Sequence, residues 1–280
     1  MREVGAGTIS DAVASLFVEA NLVLGNDVRK SLEDGLKREE SPAGKEVFKE
    51  LLENERIARD ERVPICQDTG FAVVFVELGQ DVHVIGGALK DAVNAGIAKG
   101  AKEGYLRRSI VEHPIERKNT NDNTPAVLHV EIVPGDKIKI TVAPKGGGSE
   151  NMSRIGMLPP SDGFEGVKKF AIETVSIAGS NPCPPIVIGV GLGGTFEQAA
   201  LLAKKSLLRE LGKPAKREID AKLEKEILEG ANALGIGPQG LGGRITALGC
   251  AVESYPCHIA SLPVAVNIQC HAARHKETVI

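Results

Sequence analysis

Apolar residues recur at helical spacing through the first sixty residues of the chain and then change to continuous and alternating runs. Ile9, Val13, Leu16, Phe17 and Ala20 mark one helical face, opened by Thr8-Ile9-Ser10-Asp11, which has the form of a capping box. Val28, Leu32 and Leu36 mark a second helix. Ser41-Pro42 opens a third, with proline at its first position, carrying Val47, Leu51 and Leu52. Beyond residue 60, Phe71–Leu78 and Val82–Ile85 read as strands, followed by a helix from about Gly87 to Lys102. Ala126–Val133 and Lys137–Ala143 flank Pro134-Gly135-Asp136, which predicts a hairpin. Helices are expected over 163–177, 196–211 and 221–234, with a buried strand over 186–190. Helices first, then strands alternating with helices, predict a mixed α/β (α+β) fold rather than a barrel. The expected organisation is a single domain, in which a helical N-terminal segment (residues 1–60) packs on an α/β core (residues 61–280). No internal repeat, low-complexity tract or linker is visible.

Composition narrows the class. Net charge of −3 gives no long-range pull towards nucleic acid or anionic lipid, and with no Trp and 3% aromatics a base-stacking surface is not expected. No apolar run reaches the ~18 residues that a membrane span needs, and the first residues lack a signal-peptide core. Five scattered cysteines do not form a secreted disulfide framework, so a reducing cytoplasm is expected.

Candidate chemistry gathers at Ile65-Cys66-Gln67-Asp68-Thr69-Gly70, where a soft metal ligand, an amide, a carboxylate and a hydroxyl stand side by side. The structural alternative is a buried cysteine at a strand entrance with polar neighbours capping the turn. Arg107 and Arg108 follow a helix end, where they could cap its dipole or fork onto a substrate carboxylate. Lys118–Thr124 reads as a loop bonded to its own backbone. Lys145-Gly146-Gly147-Gly148-Ser149 would let backbone N–H groups approach a ligand. Asn181-Pro182-Cys183-Pro184-Pro185 frames a cysteine rigidly. Gly189, Gly191 and Gly194 spell a dinucleotide fingerprint, but the acidic strand end expected about twenty residues on is missing. A helix N-terminus lined by these glycines would still suit a carboxylate ligand. Cys250, Cys257, His258, Cys270 and His271 lack the paired spacing of a zinc site. Cys66, Cys183 and Cys270 each stand next to proline or an apolar strand. Three thiolates gathered from distant loops suit an iron–sulfur cluster with one iron left open.

Together these motifs, with Gly193-Gly194-Thr195 and Leu262-Pro263-Val264 through Cys270, resemble the alpha subunit of the iron–sulfur hydro-lyases, the class I fumarase and L(+)-tartrate dehydratase family. The resemblance runs over essentially the whole chain. It implies that Cys66, Cys183 and Cys270 hold a [4Fe-4S] cluster whose fourth iron binds substrate. It implies that Gln67 and Arg107 contact substrate carboxylates, that Gly147 and Gly148 line the pocket, and that Asp68 carries a proton with His258 close enough to assist. Arg107 rather than Arg108 matches the family's Leu-Arg-x-Ser pattern, and Cys250 and Cys257 match no family ligand. Single-chain members continue into a second domain, so a separate beta subunit is expected to supply that half. The expected reaction is hydration of fumarate to L-malate, with dehydration of L(+)-tartrate to oxaloacetate as the alternative. A nicotinamide-dependent oxidoreductase and a non-catalytic iron–sulfur scaffold are the readings from other classes.

Overall fold

The computed structural model describes all 280 residues, Met1–Ile280. In chain order the elements begin with β1 (Arg2–Gly5), α1 (Ala6–Leu22), α2 (Asn26–Arg38) and α3 (Pro42–Glu61). Then come β2 (Phe71–Gly79), β3 (Val82–Ile85), α4 (Leu89–Glu103), β4 (Val127–Val133), β5 (Ile138–Lys145), α5 (Gly147–Glu150) and β6 (Arg154–Leu158). The last are α6 (Gly163–Ala178), β7 (Ile186–Gly193), α7 (Phe196–Ser206), α8 (Glu218–Ala233), β8 (Ala247–Tyr255), β9 (Leu262–Gln269) and β10 (Lys276–Val279). The fold is mixed α/β, as the periodicity predicts. Its residues form two compact units: Met1–Leu24, Glu55–Gly147 and Arg274–Ile280 in the first, Gly25–Asn54 and Gly148–Ala273 in the second. The helices of the first sixty residues are thus shared out, α1 to the first unit and α2 to the second.

In the first unit, β2 buries residues on both faces from Ala72 to Val76, so it needs a neighbour on each edge. It obtains them by entering between β4 and β5. The sheet order is β10-β5-β2-β4, with β2 parallel to β4 and antiparallel to β5. The expected hairpin between β4 and β5 therefore does not pair. Its turn closes over the end of β2 instead, where Gly79 N–H donates to Lys137 O at 2.8 Å and Gln80 N–H to Val133 O at 2.8 Å. One face of this sheet, through Val74, Val76, Ile138, Ile140 and Val142, packs on Ile9, Val13 and Phe17 of α1 and on Val93 and Ile97 of α4. A window within Ala6–Arg38 is apolar enough to cross a membrane by composition, but this stretch is two helices, α1 of 17 residues and α2 of 13. Half of that window is buried, and Ile9, Val13 and Phe17 are wholly enclosed, as core side chains of α1.

In the second unit the sheet order is β6-β9-β7-β8, with β7 parallel to β8 and antiparallel to β9. Ile186, Ile188 and Val190 face the core built by α6 and α8, while the alternate residues face α7. Two of those are Gly189 and Gly191, where an added Cβ would fall 2.4 Å from Ala203 O and 2.0 Å from Ala199 O. Helix α7 lies directly on the strand backbone, and no larger residue fits beneath it. It ends at Ser206, short of the expected Leu211, and Arg209 turns in to pair with the buried Glu224.

Glu39, between α2 and α3, is 1% exposed. Its carboxylate accepts N–H bonds from Glu40, Ser41, Arg244 and Ile245 at 2.8–3.0 Å. Burial is the strongest single influence on Glu39 and raises its pKa. The four backbone donors together outweigh it and hold the carboxyl below the usual range. Glu39→Ala orphans those donors and is expected to cost roughly 3 kcal/mol or more in chemical denaturation. A carboxyl held low when folded contributes stability that is present above its unfolded pKa of ~4.3 and lost as pH falls through the folded value. The advantage of the wild type over Glu39→Gln should therefore persist at neutral pH and shrink only below about pH 4. A cost like that of a surface substitution would contradict this.

Candidate active site

In the first unit, the antiparallel register Phe71↔Lys145 carries the residues before β2 alongside those after β5. Asp68 consequently meets the triple-glycine segment. Gly147 N–H donates to Asp68 Oδ2 at 2.8 Å, and Gly70 N–H donates to Oδ1 at 2.9 Å. Gly70 has φ +80°, and a Cβ there would lie 2.7–2.8 Å from the Lys145 backbone, so only glycine makes this turn. Asp68 N–H points at Cys66 Sγ at 3.4 Å, and the Cys66 thiol approaches Gln67 Oε1 at 3.3 Å. Cys66 is partly exposed, so the reading of a fully buried strand-entrance cysteine does not hold. Ile65 N–H donates to Asn21 O, fixing the loop's entry at 3.0 Å. On the other side Arg274, 5% exposed, donates from Nη2 to the carbonyls of Asp68 and Thr69. Arg274 escaped the sequence analysis because a lone arginine past the last motif carries no local signal.

Arg107 stands in the same unit on an irregular segment. Asn123, 1% exposed, accepts Ser109 N–H at 2.6 Å and donates to Arg107 O at 3.0 Å, so a buried amide sets the backbone at the arginine. Arg108 donates to Asn121 Oδ1 at 3.3 Å, whereas the Arg107 guanidinium is exposed and free of ion pairs. Helix α4 is closed by N–H bonds from Gly104 and Leu106, not by either arginine. The Lys118–Thr124 loop bonds to itself as expected, with Asn121 N–H on Asn119 Oδ1 and Thr124 N–H on Asp122 Oδ1.

The second unit repeats the device. The register Val187↔Gln269 brings the residues before β7 beside those after β9. His271 N–H donates to Cys183 O at 3.4 Å, and His271 Nδ1 lies 3.0 Å from the same carbonyl. The same ring nitrogen lies 3.3 Å from Gln239 Nε2. The Gln239 backbone N–H and Nε2 donate to Pro184 O at 2.7 and 2.9 Å. Cys183 has φ +54° and is exposed, while Pro182, Pro184 and Pro185 around it are buried. The prolines anchor the loop and the thiol is left outside. Cys270, partly exposed, follows β9 directly, and Ser149 Oγ donates to Gln269 Oε1 at 3.2 Å. A Cβ on Gly148 would sit 3.4 Å from Asn181 O, so Gly148 lies against the Cys183 loop.

The sequence profile of the fumarate hydratase (fumerase) family matches residues 10–279. The chain belongs to this family. Among its relatives is a Methanocaldococcus jannaschii protein provisionally named as an L(+)-tartrate dehydratase alpha subunit, 45% identical over 95% of either chain. The L(+)-tartrate dehydratase alpha subunits of Escherichia coli K12 and Shigella sonnei are 34% identical, over 95% of this chain and 88% of theirs. The chain is therefore a fumarase-family hydro-lyase.

Not every residue implied by the family resemblance gathers in one place. Cys183 and Cys270 share one end of the second unit's sheet, and Cys66 belongs to the first unit. Within neither unit do three or more His, Cys, Asp or Glu side chains form a ready-made metal-binding group. His258 lies past the end of β8, its Nδ1 accepting Ala260 N–H at 3.1 Å. That is the opposite end of the sheet. The eight residues of β9 put roughly 23 Å between this loop and the Cys183–Cys270 pair. Gly189 and Gly191 are used up under α7, and Glu197, bonded by Thr195 Oγ1 at 2.7 Å, already occupies that helix's first turn. Neither a dinucleotide nor a carboxylate ligand has a place there.

Burial sorts the remaining thiols. It pushes the Cys250 thiol far above its usual range, with the Glu224 carboxylate adding to the effect, so this half-buried side chain of β8 stays protonated. Cys257 is exposed, its Sγ 3.3 Å from Ser261 O. Alkylation of the metal-free folded protein at pH 8, read by mass spectrometry, should label Cys183 and Cys257 and spare Cys250 until the chain is unfolded. Equal labelling of Cys250 in the folded protein would contradict its protonated state within β8.

Proposed function

We propose that this chain is the alpha subunit of an iron–sulfur fumarate hydratase, adding water reversibly across fumarate to give L-malate. The observation that carries the reading is Asp68, a carboxylate fixed at both oxygens by backbone N–H donors and two residues from an accessible cysteine. The donor set fits a cluster: Cys66, Cys183 and Cys270 stand on loops just outside strand ends, whereas Cys250 lies within β8 and packs on the core. When bound through these three thiolates, a [4Fe-4S] cluster would supply an iron without a protein ligand, a Lewis acid for the substrate hydroxyl. Asp68 takes or returns the proton of that hydroxyl. The free Arg107 guanidinium forks onto a substrate carboxylate and stabilises charge developing there when the neighbouring C–H bond breaks. Gln67 orients the second carboxylate by a neutral hydrogen bond, and Gly147 and Gly148 leave room and N–H groups beside it. Accessible thiols outside any disulfide suit a reducing compartment such as the cytoplasm.

The relatives are named as alpha subunits, which supports a beta subunit carrying further substrate-binding groups. Their names also favour a second reading, L(+)-tartrate dehydration to oxaloacetate. Turnover of both substrates by the reconstituted alpha–beta complex decides between them, and a kcat/KM for tartrate above that for fumarate and malate would overturn the first reading. Anaerobic reconstitution is expected to give a brown protein with about four irons per chain. Cys66→Ser, Cys183→Ser and Cys270→Ser should each abolish it, and Cys250→Ser should not. Asp68→Asn, with its cluster spectrum intact, should lose roughly 10²–10⁴ in kcat with KM nearly unchanged. Arg107→Ala should instead act mainly by raising KM. Near-normal kcat in Asp68→Asn would remove Asp68 from the chemistry.

A further inference from the structure

Arg274 is 5% exposed, and its Nη1 has no acceptor. No carboxylate neutralises it. Burying a guanidinium in this way is costly unless its contacts are put to use. The contacts it does make are specific: Nη2 donates to the carbonyls of Asp68 and Thr69, the latter at 3.3 Å. These carbonyls belong to the two peptide units that follow the Asp68 and Thr69 Cα atoms, and their tilt sets where the Asp68 side chain and the Gly70 N–H point. The Asp68 carboxylate is tied at one oxygen to Gly70 N–H and at the other to Gly147 N–H. Main chain and side chain are thus held from opposite sides. If Arg274 is removed, the turn keeps its side-chain ties but loses the one that fixes its peptide planes.

We propose that Arg274 is a positioning residue for the reaction: it clamps the Asp68–Thr69 backbone so that the Asp68 carboxylate keeps one orientation. The kinetic side of this inference rests on the hydro-lyase reading given above, and the structural side does not. Hydrogen exchange of the metal-free full-length chain tests the clamp directly. In Arg274→Gln the amides of Gly70 and Gly147 should exchange roughly 10-fold faster or more, with those of Val74 and Val76 in β2 unchanged. Arg274→Lys keeps the charge but lacks the planar guanidinium that fixes the direction of both bonds, so its effect should be intermediate, and it carries the test should the glutamine variant fail to fold. In the reconstituted complex, Arg274→Gln should keep its iron and a KM within about threefold, while kcat falls roughly 10–100-fold. In an Asp68→Asn background the same change should have no further effect, because Arg274 acts through Asp68. Unchanged exchange at Gly70 and Gly147, or a full additional fall in kcat in the Asp68→Asn background, would overturn the proposal. Absence of any hydro-lyase turnover in the wild type would instead overturn the functional reading, and the exchange result would still decide the clamp.

Discussion

Antiparallel register along a central strand is the constraint on which the reactive loops depend. Pairing Phe71 with Lys145 delivers Asp68 to Gly147, and pairing Val187 with Gln269 delivers Cys183 to His271. Both registers are fixed by burial, since a slip of one residue would turn every core side chain to the wrong face. The two units share one connectivity, although the sequence shows no repeat. A central strand leads through helix to a parallel neighbour, whose following turn passes over the central strand's end and returns as the antiparallel neighbour. Gly79 under the 134–136 turn and Gly194, whose N–H donates to Pro256 O at 3.1 Å, mark the crossing in each unit. In both, a cysteine proposed as a cluster ligand lies just ahead of the central strand, at the end away from that crossing.

Loops placed in this way have no ladder to satisfy their backbone groups, so buried polar side chains take over that task. Asn123 holds the segment of Arg107, Gln239 holds Pro184 beside Cys183, Arg274 holds the Asp68 turn, and Glu39 collects four N–H donors. Each is polar, enclosed or half-enclosed, and bonded to main chain. A thiol on a loop made rigid by such ties stays accessible without being mobile, which suits a ligand that must not move with its metal.

Family membership makes the chain a hydro-lyase, and placement separates the loop cysteines Cys66, Cys183 and Cys270 from Cys250 inside β8. The sheet's length then separates His258 from the cysteine pair of its own chain.

How much of this was legible in the sequence follows from what is local. The three opening helices, the positions of β2, β3, β7 and the long helices, and the motifs around Cys66 and Cys183 could be read directly, because side-chain periodicity and proline or glycine chemistry act within a few residues. Strand order could not. The two edges of β2 look identical in sequence, so nothing local says that it enters between β4 and β5 and parts the expected hairpin. The glycines of the apparent nucleotide fingerprint likewise gained their meaning only from the helix lying on them. Arg274 and Asn123 became site residues through contacts spanning 206 and 16 positions. Which backbone groups a strand or a lone polar side chain will meet is settled by packing between distant segments, and that information exists only in the folded chain.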